Sequence, residues 1–173
     1  MQKIRTATFE DLDAIAAVEA ACFPAAEAAT AEEFAGRLAH YADHFWLLLE
    51  QGELVAFVDG FCTDWPDLTD EMYADASLHR ENGAWQMIFG VNTIPACRRQ
   101  GYAGQLLQQA IADARAQGRK GLVLTCKEAL VHYYAKFGFV NEGVSGSTHG
   151  GVVWYQMRLD SSYGNTLPSA SEN

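Results

Sequence analysis

The spacing of apolar positions along the chain changes several times, and each change marks an element. Lys3 to Ala7 reads as a short strand. Leu12, Ile15, Ala16 and Val18 recur at helical spacing to about Ala21, with Glu19 next to Val18. Thr8 is placed to cap that helix, with Asp11 at the capping-box position, and Cys22-Phe23-Pro24 ends it. Thr30 and Glu33 repeat the same box ahead of a second helix, whose inner face holds Phe34 and Leu38. Phe45 to Leu49 and Leu54 to Phe61 flank the turn Gln51-Gly52-Glu53 and read as a hairpin. Residues 62–83 are polar and rich in Asp, with a short helix over Leu68–Tyr73; a connection this long in a compact domain usually carries function. A strand over Trp85–Thr93 and a helix from Gln105 to about Gln117 follow, with Gly118 as its C-cap. The unbroken apolar run Gly121–Thr125 suits a buried strand. A helix over Glu128–Phe137 ends at Gly138, and Phe139–Val144 and Val152–Arg158 form a terminal pair of strands. The order β-α-α-β-β-β-α-β-α-β-β describes an α/β domain with a mixed sheet. Apolar periodicity stops near Asp160, so the reading is one domain over residues 1–160 and a disordered tail over 161–173.

Charge narrows the partners. The 173 residues carry a net charge of −10. Nucleic acid and anionic membrane surfaces need a basic footprint and are excluded, whereas a cationic substrate such as an amine is favoured. Cys22, Cys62, Cys97 and Cys126 are widely spaced and form no C-x-x-C pair, so they read as reduced thiols and not as a disulfide frame or a metal site. No leader and no long apolar span is legible, which places the chain in the cytoplasm.

The richest local chemistry lies between the Trp85–Thr93 strand and the helix after it. In Ile94-Pro95-Ala96-Cys97-Arg98-Arg99-Gln100-Gly101-Tyr102-Ala103-Gly104, small residues at 101, 103 and 104 let backbone N–H groups close on an anion at a helix N-terminus. Arg98 and Arg99 add positive charge there. The G-x-G-x-x-G and G-x-x-x-x-G-K-[ST] fingerprints are absent. The spacing Arg98-x-x-Gly101-x-Ala103 resembles the acetyl-CoA-binding motif of the GNAT N-acetyltransferases. The resemblance spans residues 3–158. It implies the GNAT fold, an α/β architecture with a mixed, mostly antiparallel central sheet flanked by helices. Two splayed central parallel strands, Trp85–Thr93 and Gly121–Thr125, would hold the pantetheine arm. It also implies acetyl-CoA contacts from Thr93, Ile94, Arg98, Arg99, Gln100, Gly101, Tyr102, Ala103, Gly104 and Tyr133.

A second motif supports the first. Tyr134-Ala135-Lys136-Phe137-Gly138-Phe139 resembles the Y-x-x-x-G-F of the same family, whose tyrosine serves as general acid. A phenol with a pKa near ~10 can protonate the departing thiolate. Three further segments, Cys22–Ala29, Leu124–Leu130 and Ser145–Met157, are similar to the arylalkylamine (serotonin-type) N-acetyltransferase subfamily. The paired histidines of its vertebrate members fall here on Met87 and Phe89, neither of which can move a proton. The replacements weighed for the proton relay are His79, His149 and Glu27, with Glu128 and His132 behind them. Trp65, Tyr73 and Trp85 are candidates for an aromatic wall around the amine. Cys126 lies near the reacting position but has no evident base, so direct transfer is expected.

The expectation is an enzyme that moves an acetyl group from acetyl-CoA to a small primary amine, an arylalkylamine or a polyamine. The alternatives are a protein or peptide N-acetyltransferase and a non-catalytic acyl-CoA-binding module. A homodimer is left open.

Overall fold

A computed structural model describes residues 1–147 and 149–161, with the backbone alone at His149. The predicted tail after Ser161 lies outside the described residues. The elements are β1 (Gln2–Thr6), α1 (Leu12–Cys22), α2 (Ala31–Tyr41), β2 (Phe45–Glu50), β3 (Glu53–Asp59), β4 (Cys62–Thr63), α3 (Asp70–Ala74), β5 (Trp85–Ile88), β6 (Gly90–Thr93), α4 (Tyr102–Ala116), β7 (Gly121–Cys126), α5 (Glu128–Ala135), β8 (Val140–Val144) and β9 (Tyr155–Asp160). Both capping boxes form. Thr8 N–H donates to Asp11 Oδ2 at 2.8 Å and Glu33 N–H donates to Thr30 Oγ1 at 3.1 Å. No helix among the described residues is long and apolar enough to cross a membrane.

The strands fall into two sheets, β1-β2-β3-β6 and β4-β5-β7-β9-β8. The pair β5–β7 is parallel and the other ladders are antiparallel. The single strand expected over Trp85–Thr93 is interrupted at Phe89, and its halves belong to different sheets. Gly60 sits at the junction, where a Cβ would come within 1.7 Å of the Met87 carbonyl oxygen. Only glycine allows that approach.

This interruption positions the site. The β5–β7 ladder ends at the pair Ile88–Leu124. Beyond it the chain follows β3, through Asp59–Gly90 to Ala56–Thr93. Meanwhile β7 runs on through Thr125 and Cys126, held by β9 on its other side. A wedge therefore opens between β6 and the end of β7. Helices α1 and α2 cover one sheet face, where Ile15, Val18, Phe34 and Leu38 pack with Phe45, Leu47 and Val123. Helices α4 and α5 cover the other, where Leu106, Leu107, Ala110 and Tyr134 pack with Trp46, Leu48, Leu122 and Leu124. The alternate use of successive residues in β2 and β7 is the period-two signature of strands buried on both faces.

Candidate active site

The loop after β6 is shaped by two left-handed residues, Arg99 (φ 67°) and Gly101 (φ 79°). The first helical bond of α4 runs from Gln105 N–H to the Gly101 carbonyl at 3.0 Å. The amides of Tyr102, Ala103 and Gly104 therefore point out of the helix end, where the dipole is positive. Arg98 is tethered through its Nε–H to the Thr93 carbonyl at 3.1 Å, which holds its charge beside those amides. A cavity of about 570 Å³ opens here, lined on one side by Thr93, Arg98, Arg99, Gly101, Tyr102, Ala103 and Gly104. Tyr133 lines its other side. Ile94 and Gln100 do not line it: Ile94 packs into the core and Gln100 is exposed. Free amides, two arginines and an open wedge fit the pyrophosphate and pantetheine arm of a CoA thioester.

A second cavity, of about 280 Å³, adjoins the first. Both are lined by Cys22, Phe23, Val91, Leu130 and Tyr134. Tyr134 is buried, only 6% exposed. Its hydroxyl makes no hydrogen bond to any described residue and is not among the sealed polar atoms, so it opens into the cavity. Burial pushes its pKa well above 10, so it holds its proton at neutral pH. Cys126 also lines the second cavity, and burial pushes its thiol up to about 11, which leaves no thiolate for a covalent intermediate.

The second cavity is polar below and aromatic around. Arg37, from α2, is 4% exposed and donates through Nη1 to Asp59 Oδ2 at 2.9 Å and through Nη2 to the Tyr73 carbonyl at 3.2 Å. Tyr73, the contribution of the long 62–83 connection, has its hydroxyl 3.0 Å from Thr125 Oγ1. Phe23, Phe89 and Trp154 complete the wall. Trp65 and Trp85, weighed for that wall, are elsewhere. Trp65 is 60% exposed and Trp85 stacks under the Arg158 guanidinium at 4.6 Å. Glu27 does reach the cavity, with its carboxylate held by Lys127 Nζ at 2.9 Å.

The histidines divide differently from expectation. His79 lines neither cavity. Its Nδ1 accepts the Cys62 N–H at 3.0 Å, so its proton is on Nε2, which donates to Glu81 at 2.8 Å. Both ring nitrogens are thereby engaged, and burial holds its pKa below the ordinary value. His44 Nε2 lies 3.0 Å from the same carboxylate. A metal ion there would need the His79 Nε2 lone pair, which the proton occupies. His149 opens a 3-10 turn, and its side chain lies outside the described residues. The residue missed in the sequence is Glu19. It lines the second cavity, with Oε2 accepting Ala29 N–H at 2.8 Å and Oε1 accepting Asn92 Nδ2–H at 2.9 Å.

The profile of the Acetyltransferase (GNAT) family matches residues 12–139. The chain belongs to the GNAT acetyltransferases. Serotonin N-acetyltransferase of Mesocricetus auratus is 32% identical over 110 residues, 63% of this chain and 52% of the relative. The chain therefore spans about half the length of the curated relative it matches. The loading GNATL domain of CurA from Lyngbya majuscula shares the fold at TM-score 0.82 and 17% identity, covering 94% of this chain and 99% of that one. The GphF GNAT-like decarboxylase, solved with isobutyryl-CoA, does so at TM-score 0.79 and 23% identity, covering 91% and 98%. A GNAT fold that also serves a decarboxylase leaves the reaction to be argued from the site.

Proposed function

We propose that this GNAT enzyme acetylates a small primary amine directly, an arylalkylamine first and a polyamine second, with Tyr134 as general acid. The single observation behind this reading is the seam between the two cavities. Tyr134 stands where a loop suited to a CoA pyrophosphate meets a smaller pocket lined by Glu19, Glu27, Glu33 and Asp59 against Arg37 and Lys127. That excess of carboxylates suits a cation, and the aromatic wall suits an aryl or alkyl stem. About 280 Å³ is near the small end of ligand pockets, about 300–1,000 Å³, which favours a small amine over a peptide chain. The serotonin N-acetyltransferase likeness supports the same substrate class. Acetyl-CoA would be held by the Arg98–Gly104 amides, with its arm in the wedge and its sulfur beside Tyr134. Holding both reactants in one geometry would supply much of the rate.

The test is free-thiol release from acetyl-CoA against arylalkylamines, polyamines and lysine peptides, with the CoA-induced shift in melting temperature read in parallel. Turnover on small amines is expected. Tyr134→Phe should lower kcat at least tenfold, within the range of a lost general acid, while keeping the CoA-induced shift. Turnover confined to peptides would replace the substrate class. A CoA shift without turnover on any amine would favour the acyl-CoA-binding reading.

A further inference from the structure

One step of amine acetylation still lacks a residue. An alkylamine, with a pKa near ~10.4, arrives as an ammonium ion and must lose a proton before its lone pair can attack. Met87 is buried in the core and Phe89 carries no titratable group. His79 lines neither cavity. Among the cavity carboxylates, Glu27 is paired with Lys127, Glu33 Oε1 accepts from the Thr30 N–H and hydroxyl at the start of α2, and Asp59 is paired with Arg37.

Glu19 differs from Glu27 and Asp59 in having no ion pair among the described residues, and from the exposed Glu33 in being only 7% exposed; it projects from the last turns of α1. Its two oxygens are each held by one neutral donor, Ala29 N–H and Asn92 Nδ2–H. Each oxygen keeps a further lone pair. The carboxylate is thus fixed from α1, from the segment before α2 and from β6, and it lines the cavity that Tyr134 closes. We infer that Glu19 is the general base that takes the proton from the acceptor ammonium. The inference rests on the amine reading above.

The step balances. An N–H bond of R–NH3⁺ breaks and the proton passes to the Glu19 carboxylate. The freed lone pair forms the C–N bond to the acetyl carbonyl, and the C–S bond breaks with its electrons going to sulfur. The Tyr134 hydroxyl gives that sulfur its proton. The second nitrogen proton restores Tyr134, and Glu19 releases its own to solvent. One proton is produced per turnover.

The surroundings suit that role. Burial pushes the Glu19 pKa up to about 7, the Ala29 N–H pulls it down, Asp59 pushes it up, and Arg37 and Asn92 pull it down. A base is most effective with a pKa close to the working pH. The groups facing it are Arg37 from α2, Asp59 from β3 and Cys22 on α1 itself, whose thiol is raised by burial. Glu27, Lys127, Glu33, Tyr73 and Tyr134 line the same cavity.

Glu19→Gln tests this while keeping the shape. Its carbonyl can accept Ala29 N–H, and its amide can donate to Asn92 Oδ1, which has no partner among the described residues, once that side chain turns over. The measurement is kcat/KM against pH for an arylalkylamine and for its β,β-difluorinated analogue, which is far less basic and largely neutral at pH 7. For wild type with the parent amine, kcat/KM should rise with pH through about 7. In Glu19→Gln that limb should vanish, with a loss of a hundredfold or more at pH 7 for the parent and under tenfold for the analogue, the usual general-base range being about 10²–10⁴. A persisting limb, an equal loss with both amines, or an undiminished rate overturns the inference. Asn92→Ala is the second variant: removing a donor to the charged form should move the limb to higher pH, and an unmoved limb also overturns it. If wild type acetylates no amine, the reading beneath the inference fails instead.

Discussion

The strained ionisation of Glu19 is also measurable without any substrate. Its pKa is raised from an ordinary value of 4.5 to about 7 in the folded chain. A carboxyl with a raised folded pKa binds its proton more tightly when folded, so its contribution to stability is greatest at low pH and falls as pH rises from about 4.5 to about 7. That rise corresponds to roughly 3 kcal/mol above pH 7. Between pH 5 and pH 8 the two-state linkage relation leaves roughly 2–3 kcal/mol of that change. Glu19→Gln removes the titration and little else. Urea unfolding of wild type and variant at pH 5 and pH 8, followed by tryptophan fluorescence, should show the variant gaining roughly 2–3 kcal/mol relative to wild type between the two pH values. His79, whose pKa is lowered by burial, works in the opposite direction, and the difference between the two proteins cancels it. The acids with lowered pKa, Asp11, Glu81 and Glu142, lose their contributions only below this window. A wild-type-to-variant difference that is the same at both pH values would refute the buried, costly carboxylate and the cavity floor built on it.

Three other perturbations read other parts of the molecule. Asp59→Asn leaves the Arg37 guanidinium buried without its ion-pair partner and should cost about 3–5 kcal/mol in urea unfolding; with the Asp59 charge gone, the acidic limb of any surviving activity should move to lower pH. Gly60→Ala places a methyl within 1.7 Å of the Met87 carbonyl, so the β4–β5 side must move; a fall in melting temperature of several degrees, equivalent to about 1–3 kcal/mol, is expected by calorimetry. Arg98→Ala with Arg99→Ala should raise KM for acetyl-CoA about tenfold or more, with the KM for the amine held, because each arginine lines only the first cavity, beside the loop after β6.

Much of the site's scaffold was legible because it is local. The Thr8–Asp11 and Thr30–Glu33 boxes close within three residues, the Ile94–Gly104 segment is a loop and the start of the helix that follows it, and Tyr134 belongs to a six-residue motif at the end of α5 and the turn after it. Of the leading proton-relay candidates, Glu27 and His79 fared differently. Glu27 reached the acceptor cavity, but tied to Lys127, a partner 100 residues away. His79 lies in the 62–83 connection, part of which, at Tyr73, does reach the cavity. The Cys62 amide and Glu81 hold its ring against β4 instead, a choice set by how that connection folds back.

Hydrophobic periodicity, capping residues and the small residues of one loop were enough to determine most of the order of elements, the mixed α/β class and a loop that turns into a helix N-terminus at Gly101, since each depends on neighbours within a turn or two of chain. Tertiary structure alone decided that the Trp85–Thr93 segment splits between two sheets, because the split depends on Gly60 and Met87 approaching across 27 residues. It alone decided the chemistry of Glu19, which in the chain is one more polar position beside an apolar helix face. Asn92 stands 73 residues away in sequence, and Arg37 and Asp59 come from two other elements. A carboxyl's pKa is set by what surrounds it in space, and no local pattern records that surrounding.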